Sequence, residues 1–252
     1  MSVGYNKESK KKTNPNWNHL QFNNLCCVGG VMDLCRRFKP TSHREFYDKY
    51  IESGEKFREI ANKDSIEAKN ALNNPRILRS EEGRKRLSWN IQQKAKQYGR
   101  DKEFIQKLSA EFAEACNIPL EEAKQQVYDR LFVETFDGYK NEKLVVSEFN
   151  KRFGKWFTTE EADSSKDATC AVDLVVKETK TGREIGAIQV KPKSYLLRND
   201  EILKETKDIN KRKNTKYGRP VYYVFYDRYS DPGNTIIEAD EGLVKMMSKI
   251  RI

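Results

Sequence analysis

The sequence predicts an α/β fold of the α+β kind, with a mixed-sheet core in its C-terminal half and a largely helical region before it. Three observations predict this. Apolar residues between 42 and about 132 recur mostly at helical spacing. After residue 134 the texture changes to helix, strand, strand, helix, strand. Two of those strands carry polar side chains, Asp173, Gln189 and Lys191, where burial would be expected.

The 252 residues suffice for one large domain or two small ones. Residues 1–15, "MSVGYNKESKKKTNP", are polar and basic without apolar periodicity and read as a flexible tail. Residues 16–133 read as a mainly helical region suited to DNA recognition, and 134–252 as a catalytic core. Within 16–40, "WNHLQFNNLCCVGGVMDLCRRF" reads as packed sequence broken at Gly29-Gly30. Its Cys26, Cys27 and Cys35 with His19 fit no zinc spacing and read as no metal cluster. Thr41 or Ser42 can N-cap a helix carrying Phe46, Tyr47, Tyr50, Ile51, Phe57 and Ile60. Further helices are predicted at 64–73, 80–98, 101–116 and 119–132, with a joint at Asn117 and Pro119. Residues 76–100 are dense in Arg and Lys with Trp89 and Tyr98 interleaved. They read either as a solvated helical face or as a DNA-facing helix using Arg84, Arg86, Gln92 and Gln93.

Downstream, 137–157 reads as an amphipathic helix with Leu144, Val145, Phe149 and Phe153 inward. Residues 168–192 read as two strands about a turn at Lys180-Thr181-Gly182, 199–217 as a charged helix, and 219–227 as an aromatic-rich strand. A short helix is expected from about 237.

Lys and Arg number 48 against 38 Asp and Glu, a net charge of +10. That balance favours polyanions, nucleic acid before acidic membrane. No apolar run approaches a membrane span and no signal peptide opens the chain. Five irregularly spaced cysteines fit a reduced, cytoplasmic protein. There is no Gly-x-x-x-x-Gly-Lys-Ser/Thr loop, so no nucleotide cofactor is expected.

In "IGAIQVKPKSY" (185–195) side chains alternate, so Gln189 and Lys191 share one face while Ile188 and Val190 take the other. In "CAVDLVV" (170–176), Val172, Leu174 and Val176 point one way and Ala171, Asp173 and Val175 the other. With a three-residue loop at 180–182, cross-strand partners sum to 362. Asp173 then lies opposite Gln189, roughly 5 Å away, with Lys191 on the diagonal at about 7–8 Å. A carboxylate, an amide oxygen and a main-chain carbonyl (Val190 lies between the two polar residues) form a hard oxygen set suited to Mg²⁺. An adjacent Lys can hold water or neutralise charge on phosphorus. The structural alternative is a buried Asp–Lys ion pair with Gln as hydrogen-bond filler.

Asp173 followed by Gln189-Val190-Lys191 resembles the PD-(D/E)xK nuclease core, in the Gln-x-Lys variant met among type II restriction endonucleases. Val172 stands where that family commonly has Pro. The helix "DGYKNEKLVVSEFNKRF" resembles the family's first core helix, with Glu142 as the acid that reaches the metal and Glu148 as its rival. The resemblance spans about 137–227 and implies an αβββαβ core. "IQVKPKSY", the Lys-rich helix and "PVYYVFYD" together are similar to the MjaI-type restriction enzymes, which recognise CTAG. The resemblance implies catalytic Asp173, Gln189, Lys191 and Glu142. It implies metal contacts from Asp173, Gln189, Val190 and Glu142. Lys193, Lys211 and Arg212 are further candidates for DNA contact. Sequence-specific, Mg²⁺-dependent cleavage of double-stranded DNA follows, by a homodimer on a palindrome or by a monomer that nicks in turn. A repair or junction-resolving nuclease on the same core, or a non-catalytic DNA-binding protein, are the alternatives at this point.

Overall fold

A computed structural model describes residues 28–64, 98–193, 195, 201–226, 237–239 and 241–248. The chain divides into two compact units, Met1–Phe136 and Asp137–Ile252.

The first unit is helical where described: α1 (Val28–Phe38), α2 (His43–Asp64), α3 (Lys102–Cys116) and α4 (Leu120–Tyr128). Gly29 and Gly30 do not break the chain as the sequence suggested. They lie in the first turn of α1, where four N–H groups lack intrahelical partners in any case, and α1 buries Val31, Leu34 and Cys35. Ser42 caps α2, its Oγ accepting from the Glu45 N–H at 3.1 Å, while the Glu45 carboxylate accepts from the Thr41 N–H and hydroxyl, each at 2.7 Å. Asp101 caps α3 by accepting from the Phe104 N–H at 2.8 Å, and Asn117 closes it in the left-handed region at φ 51°. Phe46, Tyr50 and Phe132 meet edge to face at centroid distances of 5.1–6.2 Å, a geometry aromatic rings prefer. A Cβ on Gly99 would stand 1.8 Å from the Tyr50 carbonyl oxygen, so this crossing requires glycine. The predicted segments 64–73 and 80–98 fall largely outside the described residues, as do His19, Cys26, Cys27 and the tail.

A π-helical turn, Asp129–Val133, follows α4 and leads directly into α5 (Glu134–Phe153). The predicted interruption between 132 and 137 is therefore absent. The Glu134 N–H reaches the Asp129 carbonyl, five residues back, which lets the helix absorb one extra residue without ending.

The second unit holds a five-stranded mixed sheet in the order β1 (Phe157–Glu161), β2 (Leu174–Glu178), β3 (Glu184–Pro192), β4 (Val221–Tyr226), β5 (Ile237–Ala239). Among the described residues only the β3–β4 pair is parallel; the crossover carries α7 (Glu201–Lys216). A short α6 (Ser164–Cys170) separates β1 from β2, and α8 (Glu241–Ser248) follows β5. The order α5, β1, β2, β3, α7, β4 is the expected αβββαβ core.

Two faces of the sheet carry different chemistry. On one, Val145 and Phe149 of α5 pack with Leu174, Val176, Ile188, Val190, Val224, Tyr226 and, from α8, Leu243. On the other, Val175 and Ala187 pack with Ala162, Val172 and Tyr217. The sequence missed three elements. Residues 157–161, of which only Phe157 lay in the predicted helix, form β1; α6 spans 164–170, of which 168–170 were predicted as strand; and β5 precedes the last helix. β1 is an edge strand held by Asn150, whose amide oxygen accepts from the Thr159 N–H at 2.7 Å and whose nitrogen donates to the Thr159 carbonyl at 3.1 Å. Because β2 starts only at Leu174, alternation does not extend upstream, and Val172 sits on the face of Val175, opposite to expectation.

Candidate active site

The hairpin register decides which polar groups meet. Leu174, Val175 and Val176 pair with Ile188, Ala187 and Gly186, so partners sum to 362 as the sequence suggested. The route differs. The Glu178 N–H bonds the Arg183 carbonyl at 2.9 Å, which makes the loop four residues, 179–182, with Gly182 at φ 66°. Lys177 pairs with Glu184, and the register shifts between Val176 and Lys177. Ile185 is thus an extra residue on β3, a bulge that offsets the longer loop.

Asp173 sits one residue ahead of β2. Its N–H bonds the Ile188 carbonyl at 3.1 Å, and its carbonyl accepts from the Ala162 N–H at 2.9 Å. The side chain is turned toward β3, where Oδ2 accepts from the Val190 N–H at 2.7 Å and stands 3.7 Å from the Lys191 Nζ. β3 and the residue after β1 therefore hold the Asp173 main chain, β3 also holds its carboxylate, and the residue is 8% exposed.

Gln189 is 2% exposed and its Oε1 is buried without a hydrogen-bond partner. An orphaned buried amide oxygen costs on the order of 1–3 kcal/mol. The Asp173–Lys191 ion pair of the structural alternative is present, while the Gln189 oxygen bonds neither partner. The buried polar groups of the hairpin and α5 that the sequence singled out, the Asp173 carboxylate, the Gln189 amide and the Glu142 carboxylate, all offer oxygen. That set suits a hard divalent cation. Among the described residues no three side chains drawn from His, Cys, Asp and Glu form a metal-holding group.

Lys191 is 23% exposed at its side chain. Burial pushes its pKa down, but the charges of Asp173, Glu142, Asp167 and Tyr195 outweigh that and hold it above its ordinary value. Glu142, five per cent exposed, bears on Lys191 electrostatically, whereas its rival Glu148 pairs with Arg152 at 3.5 Å on another face of α5.

Behind these groups lies a stack that the sequence did not flag. Tyr223 is the β4 partner of Gln189 and Phe225 that of Lys191. The Tyr195 and Tyr223 rings stack at 6.3 Å, and Tyr223 and Phe225 at 5.9 Å. Lys207 of α7 stands 5.3 Å over the Tyr195 ring.

Of the DNA-contact candidates, Arg84, Arg86, Gln92 and Gln93 lie outside the described residues. Lys193 follows β3, its N–H donating to the Tyr226 carbonyl at 2.7 Å. Lys211 and Arg212 lie exposed on α7. No helix among the described residues is long and apolar enough to cross a membrane.

A family model described as MjaI restriction endonuclease matches residues 13–231, well over half of the chain. No curated protein and no solved structure matches significantly.

Proposed function

The chain belongs to the MjaI restriction endonuclease family and is a type II site-specific deoxyribonuclease acting on double-stranded DNA, and from that premise we propose that the hairpin of β2 and β3 is its Mg²⁺-dependent active site, of PD-(D/E)xK type. One observation carries the reading: a buried amide oxygen with no partner, Gln189 Oε1, belongs to the same hairpin as a buried carboxylate and a lysine 3.7 Å apart.

Asp173, Gln189, the Val190 carbonyl and Glu142 would hold the cation. When bound, Mg²⁺ supplies Lewis-acid polarisation of the scissile phosphate and acidifies a water. Asp173 contributes fixed negative charge, and its bond to the Val190 N–H keeps it in place without reorganisation. Gln189 offers a neutral, weaker oxygen, so the site carries less negative charge than one with two strand carboxylates. Lys191, kept protonated by its neighbours, places positive charge beside the phosphate as negative charge builds on it.

The helical first unit, including residues 76–100, supplies DNA recognition in this reading, and Lys193, Lys211 and Arg212 add backbone contacts. One site per chain and two strands to cut imply a homodimer on a palindrome. Cys35, Cys116 and Cys170 are free thiols, in keeping with a reduced cytoplasmic setting.

The test is cleavage of plasmid DNA with Mg²⁺, with EDTA, and by Asp173→Asn. The reading expects discrete fragments from the parent with Mg²⁺ and none in either control. Retained cleavage in EDTA would contradict the metal assignment, and full activity of a folded Asp173→Asn would contradict the site.

A further inference from the structure

The inward stripe of α7 does not touch the candidate ligands, yet it holds the backbone that presents one of them. Lys207, Asn210, Asn214 and then Tyr217 recur at helical spacing on one face. Each reaches a named group: Lys207 the Tyr195 ring, Asn210 the Tyr195 hydroxyl at 3.4 Å, and Tyr217 the Gly186 carbonyl at 3.0 Å. Asn214 makes the densest set. As placed, its nitrogen donates to the Tyr223 hydroxyl at 3.0 Å and its oxygen faces carbonyls. With the amide turned over, the nitrogen donates to the carbonyls of Cys170 at 2.8 Å, Ala171 at 3.2 Å and Asn210 at 3.2 Å, and the oxygen accepts from the Tyr223 hydroxyl at 3.0 Å, the orientation that satisfies both ends.

The Cys170–Ala171 corner is where the chain leaves α6 and turns toward Asp173. Ala171 adopts φ 53°, ψ 49°, the left-handed region that a residue with a Cβ rarely enters. Such a conformation persists only where its surroundings enforce it. Ala171 donates its N–H to the Asp167 carbonyl, and Asn214 takes up the carbonyls of the corner itself. The same amide is tied to Tyr223, the strand partner of Gln189. One side chain thus links the two segments that carry Asp173 and face Gln189.

We propose that Asn214 is a positioning residue for the metal-binding hairpin: it locks the strained Ala171 corner and, through it, sets Asp173 against Gln189. This rests on the reading of that hairpin as the active site. The side chain acts through backbone, so its loss should change how well a cation is held more than it changes DNA binding. Residues that orient metal ligands cost about 10–100-fold in metal affinity when removed.

The experiment compares the parent with Asn214→Ala, Asn214→Asp, Ala171→Gly, the Asn214→Ala/Ala171→Gly pair and Asp173→Asn. Two quantities are read at saturating duplex: Mn²⁺ bound to the enzyme–DNA complex by electron paramagnetic resonance, and the Mg²⁺ concentration giving half-maximal single-turnover cleavage. Asn214→Ala should raise both half-saturation values by about tenfold or more. Asn214→Asp, which turns an acceptor toward the two corner carbonyls, should do the same and decides the matter if the alanine variant does not fold. Ala171→Gly adopts the left-handed corner without strain, so in the pair it should recover a large part of the lost metal affinity. A merely structural Asn214 would lower the melting temperature with metal half-saturation unchanged. That result in the folded variant, or no recovery by Ala171→Gly, overturns the proposal. If Asp173→Asn binds Mn²⁺ and cuts like the parent, the underlying reading of the hairpin fails instead.

Discussion

In the proposed active site, Gln189 is the residue on which the chemistry turns. It occupies the position where a second strand carboxylate is commoner among the enzymes this hairpin resembles, and its amide oxygen is buried and orphaned. If that oxygen serves a cation, Gln189→Glu should keep cleavage and lower the Mg²⁺ needed, because a charged ligand replaces a neutral one. Gln189→Ala should raise the Mg²⁺ requirement. Single-turnover rates across an Mg²⁺ titration check both, and a folded Gln189→Ala enzyme with the parental Mg²⁺ curve would remove the amide from the ligand set. Asp173, Gln189 and Lys191 stood out in the sequence because each is polar where an apolar residue was expected; parity puts Gln189 and Lys191 on one face of β3, whereas Asp173 precedes β2 and is brought to β3 by its own hydrogen bonds. Tyr223 and Asn214 did not stand out. An aromatic in a strand and an amide in a charged helix are ordinary residues until the register pairs one with Gln189 and the helix face turns the other toward the Ala171 corner.

At the scale of elements, the register of β2 and β3 emerged from two departures that offset each other: a loop one residue longer than expected and a bulge at Ile185. Gly182 announced the turn, but nothing in the local sequence distinguishes a three-residue loop from a four-residue loop with a bulge. β1 was hidden because "FTTEE" has a strand's propensity without a strand's alternation of apolar residues; it is held by Asn150 and by pairing to β2. The start of β3 is pinned by Glu184, which accepts from the Tyr217 hydroxyl and from Lys166 at 2.7 Å, with Arg219 at 3.6 Å. Burial raises the Glu184 pKa, but these hydrogen bonds and the charges of Lys166 and Arg219 outweigh it and hold it below its ordinary value of 4.5. A depressed carboxyl contributes stability above its unfolded value, and the contribution is lost as pH falls through the folded value. The parent should therefore lose melting temperature on acidification below 4.5 more steeply than Glu184→Gln. Parallel acid dependence of the two melting curves would show that this cluster does not stabilise the hairpin.

Over the whole molecule, the sequence read the change from helical to mixed texture near residue 134, and the compact units divide at Phe136. It did not read the continuity of helix across that point, because a π turn keeps the backbone helical while shifting the apolar stripe. The net charge of +10 bears on the DNA partner as a whole. Phosphate contacts by many Lys and Arg displace condensed counterions, so affinity for duplex DNA should fall steeply between low and moderate salt. Gel shifts across a salt series check this, and a flat response would contradict phosphate contacts as the main source of affinity. The central claim is that the Asp173–Gln189–Lys191 hairpin performs the cleavage, and Lys191→Ala tests it most directly. Single-turnover cleavage is measured beside gel-shift binding in Ca²⁺, with thermal melts as the folding control. The account predicts specific DNA binding retained and a rate at least about a hundredfold lower, corresponding to roughly 3 kcal/mol of lost transition-state stabilisation. A folded Lys191→Ala enzyme that cuts at the parental rate would contradict it.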